Sequence, residues 1–236
     1  MTRVAAGNLC VIYYGWLIAD ASGAPNRAAA AIARARPRVL IAAFSTLQPR
    51  LTNLSPQVRE LLQASGALLF AYVPTGYGAR DLADVKAEAA GCLAGGADGI
   101  FYDEVPACPD EAQLASYQAL HALVKERGGR VIANTGVDRS DESLMRVADI
   151  LMVEHQWRTF GEASPWRAGY PPERFMGVSS NEPGADAFLE GAIDRQTAVR
   201  DTRAAWACGV GWHYSTDRYV ELPAWFADYV RALRKN

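Results

Sequence analysis

Residues 96–111 read GADGIFYDEVPACPDE. Small residues lead into the apolar run Gly99-Ile100-Phe101-Tyr102, which delivers two adjacent carboxylates, Asp103 and Glu104, and stops at Pro106. A short continuous apolar run bounded by turn residues has the pattern of a strand buried on both faces, as in a parallel sheet. Two carboxylates at the end of such a strand either serve chemistry or cap the next helix. The start signal of that helix comes later, at Pro109-Asp110-Glu111, where proline and acidic residues suit a first turn. Capping therefore does not account for Asp103.

The same unit recurs along the chain. Apolar runs predict strands at residues 9–14, 39–43, 68–73, 99–102, 131–133, 150–153, 175–179 and 210–214. Between them, helical patterns cover 26–36, 55–64, 82–92, 109–127, 141–147, 187–208 and 223–233, while the segment around 164–170 makes no convincing helix. Ser55-Pro56, Asp81 and Leu222-Pro223 supply start signals. Eight strands, each followed by a helix or a stand-in, within 236 residues predict a single (β/α)8 TIM barrel, an α/β fold, as one domain over residues 1–236. A doubly wound open sheet is the rival. It would place a glycine-rich turn after the first strand, where this chain has YYGWLIAD.

Composition narrows the function. A formal net charge of −2 and the absence of a Lys/Arg run give no field for nucleic acid. No apolar run approaches the ~18 residues of a membrane span. The chain opens without a basic segment followed by an apolar one, which predicts a cytoplasmic protein, or a secreted one whose export signal has been removed. The four cysteines, Cys10, Cys92, Cys108 and Cys208, lack metal-ligand spacing and read as reduced core thiols. No helix shows an unusually apolar outer face, so a monomer is expected.

In a barrel, function collects where the strands end. The predicted ends give Tyr13, Tyr14 and Trp16; Phe44 and Ser45; Tyr72, Thr75, Tyr77 and Arg80; Asp103 and Glu104; Asn134 and Thr135; Glu154, His155 and Trp157; Ser179, Ser180 and Asn181; His213, Tyr214 and Asp217. Glu154 ends an apolar strand, where an ionised side chain is costly unless paired or functional. The pooled set is aromatic and acidic, with Arg80 the one nearby cation. Aromatic faces stack on the C–H patches of a pyranose, carboxylates act as acid, base or nucleophile, and a negative cavity favours a cationic sugar such as a free hexosamine. No lysine stands at a strand end for Schiff-base chemistry. No glycine-rich cradle follows the last two strands for a phosphate, and no GxSxG elbow is present. A hard-metal site from Asp103, Glu104, Glu154 and His155 is chemically conceivable, but no spacing specifies one, and no metal or cofactor is expected.

The residues that carry this chemistry also resemble a known family. FAYVPTGYGARDLADVKAEAAGCLAGGADGIFYDEVP at 70–106, VIANTG at 131–136, ADILMVEHQW at 148–157 and YSTDRYVELPAWF at 214–226 are similar, in order, to the signature of spherulin-4-like (spherulation-specific family 4) proteins, and YYGW near the start fits too. The resemblance implies a (β/α)8 barrel and a glycoside hydrolase related to endo-α-1,4-galactosaminidases, acting on galactosamine-containing exopolysaccharide. It implies Asp103, Glu104 and Glu154 as the catalytic carboxylates. Tyr14, Trp16, Tyr72, Tyr77, Arg80, Asn134, His155, Trp157, His213 and Tyr214 are then expected to bind the carbohydrate. The chain departs from the family in short loops after the first two strands and in a seventh strand ending SSNE. An enzyme of a small glycoside or metabolite, or a barrel that binds an amino sugar without cleaving it, remain the alternatives.

Overall fold

The structure, a computed structural model, describes residues 8–43, 54–180 and 193–235. Eight strands run β1 (Cys10–Tyr13), β2 (Val39–Ala42), β3 (Leu68–Pro74), β4 (Gly99–Asp103), β5 (Arg130–Asn134), β6 (Ile150–Met152), β7 (Phe175–Ser180) and β8 (Trp212–Thr216). Each pairs in parallel with the next in chain order. Leu9 bridges His213 in parallel, so β8 returns to β1 and the ring closes. Helices α1 (Arg27–Ala35), α2 (Pro56–Ala64), α3 (Leu82–Ala94), α4 (Glu111–Lys125), α5 (Phe160–Ala163), α6 (Arg195–Ala207) and α7 (Phe226–Arg234) lie between and after the strands. This is the predicted (β/α)8 barrel.

The opening stretch shows why the ring closes as it does. Successive side chains of a strand point to opposite faces, so Phe101 and Asp103 share the inner face of β4. Phe101 lies against Tyr72 of β3, ring centroids 5.8 Å apart. Tyr102 points outward, where Cys92 of α3 and Tyr117 of α4 add to the burial that raises its phenol's pKa. Gly99 opens the strand because nothing larger fits: a Cβ there would stand 2.4 Å from the Arg130 carbonyl and 2.5 Å from the Phe70 ring. Asp110 then starts α4 with a full capping box, its carboxylate accepting from Gln113 N–H while the Gln113 side chain accepts from Asp110 N–H.

The differences from expectation have local causes. β8 begins two residues later than predicted, because Gly209 holds φ +82° and Gly211 packs under the Pro172 carbonyl, so the Val210 region is still a turn. The predicted helix at 141–147 is a 3-10 turn, Glu142–Arg146, started by Asp141. After β6 the outcome is as expected, with short turns and the four-residue α5 in place of a full helix. The predicted 187–208 helix is described from Arg195 to Ala207, its first residues lying outside the described set. Cys10 and Cys92 are buried free thiols as expected, but Cys108 and Cys208 are exposed, since both fall where a helix or loop turns out to solvent.

Candidate active site

Three carboxylates gather where β4, β5 and β6 end. Asp103 is the last residue of β4 and both its oxygens are engaged. Oδ2 accepts from the Tyr72 hydroxyl at 2.7 Å, and Oδ1 from Asn134 Nδ2 at 2.7 Å. The same Asn134 Nδ2 donates to Glu154 Oε1 at 2.5 Å. Asn134 itself is almost fully buried at the end of β5, and its Oδ1 accepts from Gly136 N–H at 3.0 Å. That bond leaves the NH2 end to face the carboxylates. Because both oxygens touch one nitrogen, those of Asp103 and Glu154 lie no more than about 5 Å apart.

Two of the carboxylates sit on strained backbone. Glu104 has φ +56° and Glu154 has φ +45°, a left-handed conformation that costs a non-glycine residue of order 1 kcal/mol or more. Tyr77 joins them at φ +54° between Gly76 and Gly78, both also at positive φ. The surroundings hold these conformations in place. Glu104 Oε2 accepts from Gly76 N–H at 3.1 Å, and its carbonyl accepts from Tyr77 N–H at 2.6 Å and Thr75 Oγ1 at 2.8 Å. The Tyr77 ring is left 61% exposed over the cavity. Glu154 begins a 3-10 turn, Glu154–Arg158, that is anchored from behind. There Trp157 donates to Ser179 Oγ at 3.3 Å, and the Arg158 guanidinium lies over the Trp157 ring and 2.9 Å from buried Asp201 of α6.

Burial raises the Glu154 pKa, and the charge of Asp103 adds to it, against a lowering from the Asn134 hydrogen bond. Burial also raises the Tyr72 phenol, further raised by its bond to Asp103, so Tyr72 stays a proton donor to that carboxylate. Tyr14 packs edge-on against Tyr72, centroids 5.3 Å apart, and Tyr219 follows at 5.6 Å from Tyr14. An aromatic row thus runs from Asp103 towards the loop after β8.

The cavity over the carboxylates holds about 320 Å³ and is lined by Asp103, Glu104 and Glu154 with Tyr77, Asn134 and His155 among the expected residues. Tyr72 reaches it through its bond to Asp103, and Tyr14 packs on Tyr72. Five expected binders stand elsewhere. Arg80 turns away to Glu88, at 3.0 Å, and to the Pro74 carbonyl, because buried Glu88 needs a cation. Trp157 lies behind Glu154 against β7, where Gly177 has no room for a Cβ. His213 points to the helix layer between Ser179 Oγ and Thr202 Oγ1, and burial pulls its pKa down to about 3. Tyr214 is fully buried. Trp16 is 57% exposed on the loop after β1, outside the cavity lining. Phe44, Ser45 and Asn181 lie outside the described residues. Thr135, Gly136, Val137 and Gln156 line the cavity without having been expected as binders. The sequence signal for them was the turn Asn134-Thr135-Gly136, whose glycine takes the left-handed φ of +69°. No group of three His, Cys, Asp or Glu among the described residues could hold a metal ion. No helix among them is long and apolar enough to cross a membrane.

Comparison with known proteins places the chain in a family. The model of spherulation-specific family 4 matches residues 43–233. No curated protein matches the sequence. Among solved structures, Sph3 of Aspergillus clavatus in complex with GalNAc superposes with a TM-score of 0.71 at 17% identity, covering 96% of this chain and 97% of that one. A chitinase of Chromobacterium violaceum gives 0.63 at 12% identity, covering 98% and 100%. A chitinase of Rhizomucor miehei gives 0.61 at 12% identity, covering 96% and 100%. At these identities the likeness is one of fold.

Proposed function

From the premise that the chain belongs to spherulation-specific family 4, we propose that it is a glycoside hydrolase that cleaves amino-sugar chains, with Asp103 and Glu154 as its working pair. The observation that carries this reading is the single Asn134 amide nitrogen that touches both carboxylates. Two carboxyl groups about 5–5.5 Å apart suit a retaining mechanism, whereas inversion needs roughly 6.5–9.5 Å to admit a water. The short separation favours retention.

The roles follow from environment. Glu154, with its raised pKa, is the general acid: its proton goes to the glycosidic oxygen as the C1–O bond breaks. Asp103, held at both oxygens by Tyr72 and Asn134, is the nucleophile that takes C1. Water then enters, Glu154 accepts its proton, and the Asp103–C1 ester is hydrolysed. Glu104 faces the same cavity, and among the described residues of the lining there is no lysine or arginine, so a substrate ammonium meets carboxylates there. Together with the amino sugar bound by the Aspergillus clavatus relative, this supports α-1,4-linked galactosamine or N-acetylgalactosamine exopolysaccharide as the substrate. Exposed Tyr77 offers a ring face beside the cleavage point. The reading is tested by NMR of the first product from such a polymer. An anomeric centre released with the configuration of the substrate is expected, and an inverted one would remove Asp103 from the role of nucleophile.

A further inference from the structure

A cleft of about 630 Å³ lies apart from the one over the carboxylates. It opens on the flank of the barrel between α1, α7 and the loop after β8. Its walls carry Arg27 and Arg34 of α1, seven residues apart and so on one helical face, with Ala28 and Ala31 between them leaving a floor without bulk. Neither guanidinium has an ion pair or hydrogen bond among the described residues. The positive end of the nine-residue α1 opens at the same place, since Arg27 and Ala28 are its first residues and its first turn contains no acid. Across the cleft, Arg218 is already neutralised by Glu221 at 3.0 Å.

Two polar groups in the wall lack hydrogen-bond partners among the described residues. Tyr13 is 6% exposed, and its hydroxyl makes no hydrogen bond among the described residues. Asp217 Oδ1 is buried without a partner as well. A buried polar atom such as Asp217 Oδ1 ordinarily finds a partner. A ligand that satisfies the whole wall must bring an anionic group for Arg27 and Arg34 and hydroxyls for Tyr13 and Asp217. Its compact body must also lie against Phe226 and the small alanines.

We propose that this cleft is a second binding site, separate from the carboxylate cavity, for an anionic sugar: a ring bearing hydroxyls and one carboxylate or phosphate. The negative group sits between Arg27 and Arg34, and the hydroxyls donate to Asp217 Oδ1 and exchange hydrogen bonds with Tyr13. The site shares an element with the carboxylate cavity, because Tyr219 on the same loop packs on Tyr14 of the aromatic row.

The test is a titration of the full chain, followed by NMR, with glucuronate, glucose 6-phosphate, inorganic phosphate and neutral glucose. Both charged sugars are expected to bind saturably and more weakly as salt rises, with glucose at least tenfold weaker. Glucuronate binding stronger than glucose 6-phosphate assigns the carboxylate as the anion, and the reverse order assigns the phosphate. Arg27→Ala/Arg34→Ala, both exposed and outside the carboxylate cavity, is expected to lose at least tenfold in affinity for the charged sugars. Tyr13→Phe is expected to weaken the sugars while leaving inorganic phosphate unchanged. No saturable binding of either charged sugar, or equal binding by the double variant, would overturn the proposal. Inorganic phosphate binding as tightly as glucose 6-phosphate would also sink it, by reducing the site to two surface arginines.

Discussion

Asn134 directs its NH2 group at two carboxylates, Asp103 and Glu154, while its oxygen accepts from Gly136. Its bond lowers the Glu154 pKa against the burial and the Asp103 charge that raise it. Asn134→Ala removes the lowering contribution, so the Glu154 carboxyl moves further up. In a pH profile of kcat the basic limb, which reports loss of the acid's proton, is then expected at higher pH, alongside a fall in kcat. An unmoved basic limb would mean that Glu154 is not the acid. Stability follows the same residue. Below the unfolded pKa of a glutamate, near ~4.3, Glu154 is neutral in both states and its burial carries no charge penalty. As pH rises through the elevated folded pKa, the folded protein must hold a buried carboxylate and that stability is lost. Glu154→Gln has no such charge, so its melting temperature is expected to match wild type near pH 4 and to exceed it by a few degrees, roughly, at pH 7. Calorimetry across that range checks the divergence.

The turn that carries Glu154 is an element held from behind, and its anchors differ in how much they expose. Asp201 has a side chain only 3% exposed, while Arg158 is 43% exposed. Asp201→Asn leaves a guanidinium that can turn to water and still stack on Trp157, so the expected cost is about 1 kcal/mol. Arg158→Ala leaves a buried carboxylate with only the exposed Arg200, 3.4 Å away, and is expected to cost about 3 kcal/mol. Urea unfolding of both variants decides this, and equal losses would contradict the burial argument. It is also the element that sequence reading missed. Trp157 and His213 come straight after or within apolar strands, and a one-residue step decides whether such a side chain enters the barrel or its helix layer. The step could not be counted through the left-handed Glu154, or through a strand whose start had shifted by two residues. Arg80 was misplaced for another reason, since its partner Glu88 sits two turns along α3 and only the folded loop brings them together.

For the whole molecule, the architecture was legible because one rule repeats. Apolar runs buried on both faces, alternating with helical stretches, leave few alternatives to a closed parallel barrel. The carboxylates were legible for a related reason: charges placed directly after such runs have no structural excuse. What pattern could not carry was the hydrogen-bonded arrangement at the strand ends, where Asn134 ties β4 to β6 and Tyr72 ties β3 to β4. The barrel brings β3, β4, β5 and β6 side by side, and the proposed chemistry depends on that adjacency.

The most direct measurement is release of reducing ends from galactosamine-rich exopolysaccharide by wild type, Asp103→Asn and Glu154→Gln, each first shown to be folded. Wild type is expected to cleave, and each variant to lose at least ~10²-fold, as removal of a catalytic carboxylate does. A folded wild type that releases no ends, or variants that cleave as it does, would contradict the account.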